Sequence, residues 1–308
     1  MNLAETIRSE SQEILDRGGA IVGQCLNAVG FVNGTIPEIY DEDKIIELPM
    51  TETAGMGFSV GLALSGRDVV HIIRFQSFLF LQSSPLVFYA NLANELWDYE
   101  IPLIVRAIGD EGWHGPVHSN CYHSMFANMG IDVFVPMTPK EYTQALSMAH
   151  GCPMLMSEHR HGYHLTDEWY DALDTNTTHP DNEIVIIAIS ATRIEAIKAR
   201  EVLNKKYGDN YVGVVHIKYL NSLWDPMNPD MESVMEANNV LITDASDALP
   251  GSFINDLNAM RMMFRKSSKE INIGTLTTFN SVTRVREEYR RGYPKAQDII
   301  EWVEAHGR

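Results

Sequence analysis

The sequence predicts an α/β chain built as two three-layer domains, residues 1–165 and 183–308. Three observations predict it. Short apolar runs alternate with helix-period segments from Leu3 to Ser157, the rhythm of a mainly parallel sheet covered by helices. The polar stretch 159–182, with two histidine-rich patches and the string TNTTHPDN, breaks that rhythm as a linker. A second alternation then runs from Glu183 to Leu276.

In order, residues 3–17 place Leu3, Ile7, Ile14 and Leu15 near one stripe of an amphipathic helix. Ala20–Gln24 and Ile45–Leu48 are strand candidates, separated by a loop carrying Gly30, Gly34 and Pro37. Glu52–Leu64 is a helix despite Gly55, Gly57 and Gly61. Each glycine costs about 1 kcal/mol there relative to Ala, so something is expected to pack close to its backbone. A strand at Val69–Phe75, a helix near Pro85–Trp97 and a strand at Leu103–Ala107 follow. After the glycine-rich loop 109–115 come a helix near Ser119–Asn128, a strand at Val133–Val135, a helix from Pro139 to about His150, and a strand at Met154–Ser157. Proline at that first helical position is favoured because its missing N–H would be unbonded anyway. The second unit reads as strands at 183–189, 212–217, 240–243 and 271–276. Helices are expected at 192–207, near 231–237 and at 251–263.

Composition narrows the function classes. Hydrophobic content of 45% and charged content of 21% fit an ordinary globular protein with a substantial core. A net charge of −17 argues against non-specific nucleic-acid binding, because polyanions repel. No run approaches the roughly 18 apolar residues of a membrane span. Even residues 69–90 are broken by His71, Arg74, Gln76, Gln82 and Pro85. The N-terminus lacks the basic start and apolar core of a signal peptide. Cys25, Cys121 and Cys152 are odd in number and lack metal-type spacing, as expected of reduced thiols in a cytoplasmic protein.

The chemistry concentrates between residues 47 and 123: ELPMTETAGMGFSVGLALSG (47–66), IIRFQSFLF (72–80) and VRAIGDEGWHGPVHSNCYH (105–123). Together with HIKYLNSLWD (216–225), these segments resemble the beta subunit of thiamine-diphosphate-dependent 2-oxoacid dehydrogenase E1 components. They are also similar to the C-terminal two-thirds of transketolases. The resemblance covers nearly the full length. It implies a pyrimidine-binding thiamine-diphosphate fold followed by a transketolase C-terminal-like domain. Three places depart from the family pattern: Gln24 stands where an acid is usual, TDASDALPGSF (243–253) is only loosely similar, and FLFLQSS lacks a downstream tyrosine.

The resemblance assigns roles. Met50 and Glu52, in MTE (50–52), would bind the cofactor. The Glu52 carboxyl would hydrogen-bond the aminopyrimidine N1′ and promote the imino tautomer that activates thiamine diphosphate. On its own, an acid at a helix start also reads as a complement to the macrodipole. Phe78 in RFQSF would stack on the aminopyrimidine; plain core packing is its other reading, and Phe75 and Phe80 compete for the role. His118 in GPVHS would move protons or bind substrate, because an imidazole titrates near neutrality. His114 and Arg106 are further substrate-binding candidates, with bracing of the loop the favoured reading of Arg106. Cys121 beside His118 and His123 invites a thiol or zinc reading, but its spacing is unlike a structural zinc site. The histidines of SEHRHGYH (157–164) have a polar linker as their simpler reading.

The diphosphate half of the site, a GDG string followed by a distant Asn that holds Mg²⁺, has no counterpart. GDE (109–111) and GDN (208–210) lack the context. The resemblance therefore implies an alpha-type partner carrying the diphosphate and Mg²⁺, in an α2β2 heterotetramer with the active site shared between chains. It implies decarboxylation of a 2-oxoacid and, in a dehydrogenase complex, transfer of the acyl group to a lipoyl-domain acyltransferase. Two alternatives stay open: the C-terminal subunit of a split transketolase or acyloin-type synthase, and a non-catalytic assembly subunit. No membrane or nucleic-acid partner is expected.

Overall fold

A computed structural model of the protein describes residues 1–110, 114, 118–149, 151–221, 234–246, 272–277 and 293–307. Helix α1 (Leu3–Asp16) begins at a capping box. Asn2 Oδ1 accepts from the Glu5 N–H at 2.9 Å, and Glu5 Oε2 accepts from the Asn2 N–H at 2.8 Å. Two N–H groups that helix geometry leaves unbonded are thereby satisfied.

The first sheet holds β1 (Ala20–Gly23), β2 (Ile45–Glu47), β3 (Val69–Ile73), β4 (Leu103–Gly109), β5 (Asp132–Phe134) and β6 (Met154–His159). Its order is β2-β1-β3-β4-β6-β5, and every pairing is parallel. The second sheet holds β7 (Ile184–Ile189), β8 (Val212–Ile217), β9 (Asn239–Asp244) and β10 (Asn272–Leu276) in the parallel order β10-β9-β7-β8. Parallel strands joined by helical crossovers bury both faces. That is why VVHII and IVIIAI read as continuous apolar runs and are buried throughout.

On one face of the first sheet, Ile21, Val70, Ile72, Met154 and Met156 pack against α1 and α6 (Pro139–Met148). On the other, Ala20, Val22, Val69, Ile73, Val105 and Ala107 meet α2 (Glu52–Leu64), α3 (Leu79–Ser84) and α4 (Leu92–Trp97). The same apolar cluster continues into Val185, Ile187, Ile189 and Val215 of the second sheet. A buried ion pair also joins the two units: Arg193 donates to Glu141 at 2.8 and 2.6 Å. Burial alone would raise the Glu141 pKa, but the Arg193 guanidinium outweighs it and holds the carboxyl below its ordinary range.

Several elements differ from the expectation. The helix expected from Pro85 begins earlier, with a 3₁₀ turn at Gln76–Phe78 and then α3. Pro85 opens an internal π-helical turn, Pro85–Asn91, before α4. Proline has no N–H for the regular ladder, and a wider turn absorbs the gap. Within the expected loop 25–44, Val29, Phe31, Val32 and Asn33 follow a left-handed turn with φ from 51° to 58°. That conformation costs about 1–2 kcal/mol per non-glycine residue; buried Val32 and Ile36 hold it against α1. The expected linker is ordered as a 3₁₀ turn, Arg160–His164, and α7 (Asp167–Asp174), because Tyr163 and Leu173 have core sites to fill. Helix α5 (His123–Ala127) and α8 (Thr192–Tyr207) lie where helices were expected. Near 231–237 residues 234–237 are described, with 234–236 helical. The expected helix 251–263 lies outside the described residues. A terminal helix, α9 (Ala296–His306), packs on α8 and was not foreseen.

Candidate active site

The strand order places a reversal between β1 and β3. The chain leaves β1 toward β2 on one side and leaves β3 toward β4 on the other, so a crevice opens at the carboxyl ends of these two strands. A cavity of about 130 Å³ occupies it. Gln24 and Cys25 follow β1, Arg74 and Phe75 follow β3, and Met50, Phe78, Gln82 and His118 complete the lining with Ile72 and Ile73.

Five of the six residues singled out by sequence lie on this side of the sheet or around its mouth. Met50 lines the crevice, and Glu52 opens α2 two residues later, half-buried. Its carboxylate has no hydrogen-bond or ion-pair partner among the described residues. His118 sits edge-to-face against Phe75 at 4.7 Å and Phe78 at 5.5 Å between ring centroids. Of the three competing phenylalanines, Phe75 and Phe78 line the crevice. Phe80 is 43% exposed and packs on Tyr122 instead. His114 is half-exposed, paired with Asp110, and its ring lies 5.5 Å from that of Phe75, between centroids.

Arg106 is placed elsewhere. Side chains alternate across a strand, and Arg106 falls on the opposite face, fully buried. Its Nε and Nη2 donate to Glu158 at 2.5 and 2.9 Å, and Nη2 also reaches the Thr35 hydroxyl at 3.0 Å. Tyr163 donates to the same carboxylate at 2.5 Å. Burial works against the guanidinium charge, yet Glu158 prevails and raises the pKa of Arg106. Arg106 does not line the crevice; among the described residues its bonds brace β4 against Glu158 and Thr35.

Sequence reasoning passed over Gln76, which organises the region beneath the crevice. Its Oε1 accepts from the N–H groups of Tyr122 and His123 at 2.6 and 3.1 Å. Its Nε2 donates to the Ala107 carbonyl at 3.2 Å and the Ser157 hydroxyl at 2.8 Å. Ser157 then meets His123 Nδ1 at 2.9 Å, and His123 Nε2 meets Asp244 at 2.9 and 3.1 Å. With Gln76 donating to Ser157, Ser157 donates to Nδ1 and the Nε2–H donates to Asp244. The residue types are those of a nucleophilic triad. Every member is at most 2% exposed, however, so no substrate reaches the hydroxyl. The chain of bonds is a strut. It ties the aromatic turn and the start of α5, which flank His118, to the end of β9 in the second sheet. Among the described residues no group of three or more His, Cys, Asp or Glu is placed to hold a metal ion. Nor is any helix long and apolar enough to cross a membrane.

A family model described as "Transketolase, pyrimidine binding domain" matches residues 3–164, just over half of the chain. The chain belongs to this family. The 2-oxoisovalerate dehydrogenase subunit beta of Bacillus subtilis (strain 168) is 24% identical over 286 residues, 84% of each chain. The acetoin:2,6-dichlorophenolindophenol oxidoreductase subunit beta of Cupriavidus necator is 22% identical over 241 residues, 74% of this chain and 70% of that one. Among solved structures, a split-gene transketolase in an inactive beta4 tetramer shares the fold at a TM-score of 0.64 and 13% identity. The match covers 98% of this chain and 96% of that one. The transketolase of Campylobacter jejuni shares it at 0.68 and 14% identity; this chain spans 46% of that protein's length.

The family implies thiamine diphosphate, and its pyrimidine end fits the residues present. Phe75, Phe78, Ile72, Ile73 and Met50 form apolar and aromatic walls for a flat ring, and Glu52, at the start of α2, offers a carboxylate with no partner among the described residues.

Proposed function

We propose that this chain is the beta-type subunit of a thiamine-diphosphate-dependent 2-oxoacid dehydrogenase or decarboxylase. It supplies the aminopyrimidine half of an active site completed by an alpha-type subunit, which holds the diphosphate and Mg²⁺. The observation that carries this reading is Glu52: a half-buried carboxylate at a helix start, without a partner among the described residues, beside an aromatic-walled crevice that also holds His118. Thiamine diphosphate, when bound, would supply the nucleophilic carbon that decarboxylation of a 2-oxoacid requires. The protein's own groups prepare that chemistry. Glu52 holds a proton against a ring nitrogen, Phe75 and Phe78 fix the ring plane and exclude water, and the His118 imidazole moves protons at the substrate.

The surface supports the need for a partner. On α2, Ala54, Gly57, Phe58, Gly61 and Leu64 form one exposed stripe, and a Cβ added at Gly57 or Gly61 would meet nothing within 4 Å. The close neighbour expected of these glycines is therefore not part of the described chain; only Gly55 packs tightly, against Leu48. Phe88, Tyr89, Leu96 and Trp97, all at least 60% exposed, extend the apolar patch along the neighbouring helices. A patch of this kind marks a protein interface. An αβ pair, arranged as α2β2, covers it, and a lipoyl-domain acyltransferase would receive the acyl group.

The test is co-purification with an alpha-type subunit encoded nearby, followed by a panel of 2-oxoacids with thiamine diphosphate, Mg²⁺ and an artificial electron acceptor. Turnover that needs both chains and disappears in Glu52→Gln is the expected result. Turnover only with an aldehyde acceptor would replace the dehydrogenase by the two-carbon-transfer alternative. Full activity in Glu52→Gln would overturn the site.

A further inference from the structure

The described part of the crevice carries one fixed positive charge, Arg74, the first residue beyond the buried strand β3. Its Nη1 donates to the Cys25 carbonyl at 3.1 Å, while its Nε is buried without an acceptor. Among the described residues no carboxylate lies within ion-pair distance of it. Glu47, the acid whose charge reaches it, already accepts from the N–H groups of Leu26 and Asn27 at 2.8 and 3.3 Å. A second guanidinium stands behind it. Arg160 donates to the Arg74 carbonyl at 3.2 Å and to Asp110 at 2.9 Å, and lies over the Phe75 ring at 4.7 Å. Burial first, and the Arg160 charge second, depress the pKa of Arg74.

The contrast with the other buried arginines is chemical. Arg106 and Arg193 each meet a carboxylate with two nitrogens. This chain carries a surplus of acids, yet none among the described residues pairs with Arg74 at the mouth of the crevice. A partly buried guanidinium with an unmet donor and a like charge behind it is stabilised by an anion in front of it.

We propose that Arg74 is the anion-recognition residue of the crevice, taking an oxyanion of the substrate while His118 faces the group that reacts. The proposal rests on the catalytic reading of the crevice. The oxyanion has two possible sources, the carboxylate of a 2-oxoacid or the phosphate of a sugar phosphate, and the test separates them.

Calorimetric titration of the chain assembled with its alpha-type partner, without thiamine diphosphate so that nothing turns over, uses sodium pyruvate in one arm and inorganic phosphate in the other, at fixed ionic strength. Saturable binding is expected. It should weaken at least about tenfold in Arg74→Met, the loss expected for a charge-assisted hydrogen bond. Arg74→Gln, which keeps a donor for the Cys25 carbonyl, should lose binding equally, and it serves if Arg74→Met misfolds. Tighter binding of pyruvate assigns a carboxylate, and tighter binding of phosphate assigns a phosphate. Binding of neither anion, or equal binding in the variants, would overturn the proposal. Arg74-dependent binding without turnover of any 2-oxoacid would leave this assignment standing and sink only the reaction. Turnover with an unchanged KM in Arg74→Gln would do the reverse.

Discussion

The two faces of the first sheet are built from the same strands and end differently. The face under α1 and α6 closes on itself. Arg106, Glu158, Tyr142 and Tyr163 are buried within one cluster, and burial pushes both tyrosine pKa values up. The face under α2–α4 stays open at its outer rim. Aromatic side chains stand in solvent there, and Glu52 has no described partner. A closed face can be understood from one chain. An open one leaves groups unpaired among the described residues, and under the proposed function these are where a ligand and a second chain would sit.

The comparison breaks most sharply at Glu158. Glu158→Gln leaves the Arg106 charge buried beside a neutral amide, and loss of one member of such a pair costs about 3–5 kcal/mol. Urea unfolding should show that loss; a change below about 1 kcal/mol would mean the closed face does not depend on its ion pair.

Glu52→Gln should behave in the opposite way. The unfolding midpoint should hold to within about 0.5 kcal/mol, because no described contact is lost. Turnover of the assembled enzyme should fall by about 10²-fold or more, on the scale of general acid–base catalysis.

Trp97→Ala and Phe88→Ala address the patch. Each should weaken partner association, with about 2 kcal/mol for an interface anchor, and leave the isolated chain's stability nearly unchanged. Unaltered association in analytical ultracentrifugation would place the partner elsewhere.

The smallest effect belongs to His71, which is buried between the Ser59 hydroxyl and Gln82 at 2.8 and 2.7 Å. Burial lowers its pKa to about 4, and the Gln82 hydrogen bond only partly opposes this. The unfolded chain takes up this proton near pH 6.5 and the folded chain does not. His71 therefore contributes nothing to the pH dependence above 6.5, and stability falls as pH drops from there toward 4. By pH 5.5 the loss is about 1.4 kcal/mol. The unfolding free-energy difference between wild type and His71→Asn should narrow by that amount; a pH-independent difference would contradict the burial argument.

What was legible in the sequence was local. Alternating apolar runs gave the strands of both units and several of their helices, because periods of 2 and 3.6 residues are written in consecutive positions; the helices at Asp167–Asp174 and Ala296–His306 escaped it. The aromatic turn was visible as RFQSF, but not which phenylalanine faces the crevice; that depends on how a turn ends at the sheet edge. The π turn at Pro85 was missed because the helix around it had already begun.

The sequence by itself determined that this chain is α/β with parallel sheets, and it set Met50, Glu52, Phe78 and His118 in an order that points to one crevice. Only the tertiary structure decided which charges meet. Arg106 finds Glu158, 52 residues away, because β4 lies beside β6. His123 finds Asp244, 121 residues away, because the two sheets pack together. Arg74, one residue past a buried strand, lines the crevice with no carboxylate in ion-pair reach among the described residues. Strand order and sheet packing are set by burial summed over the whole chain, and no short window of residues records that sum.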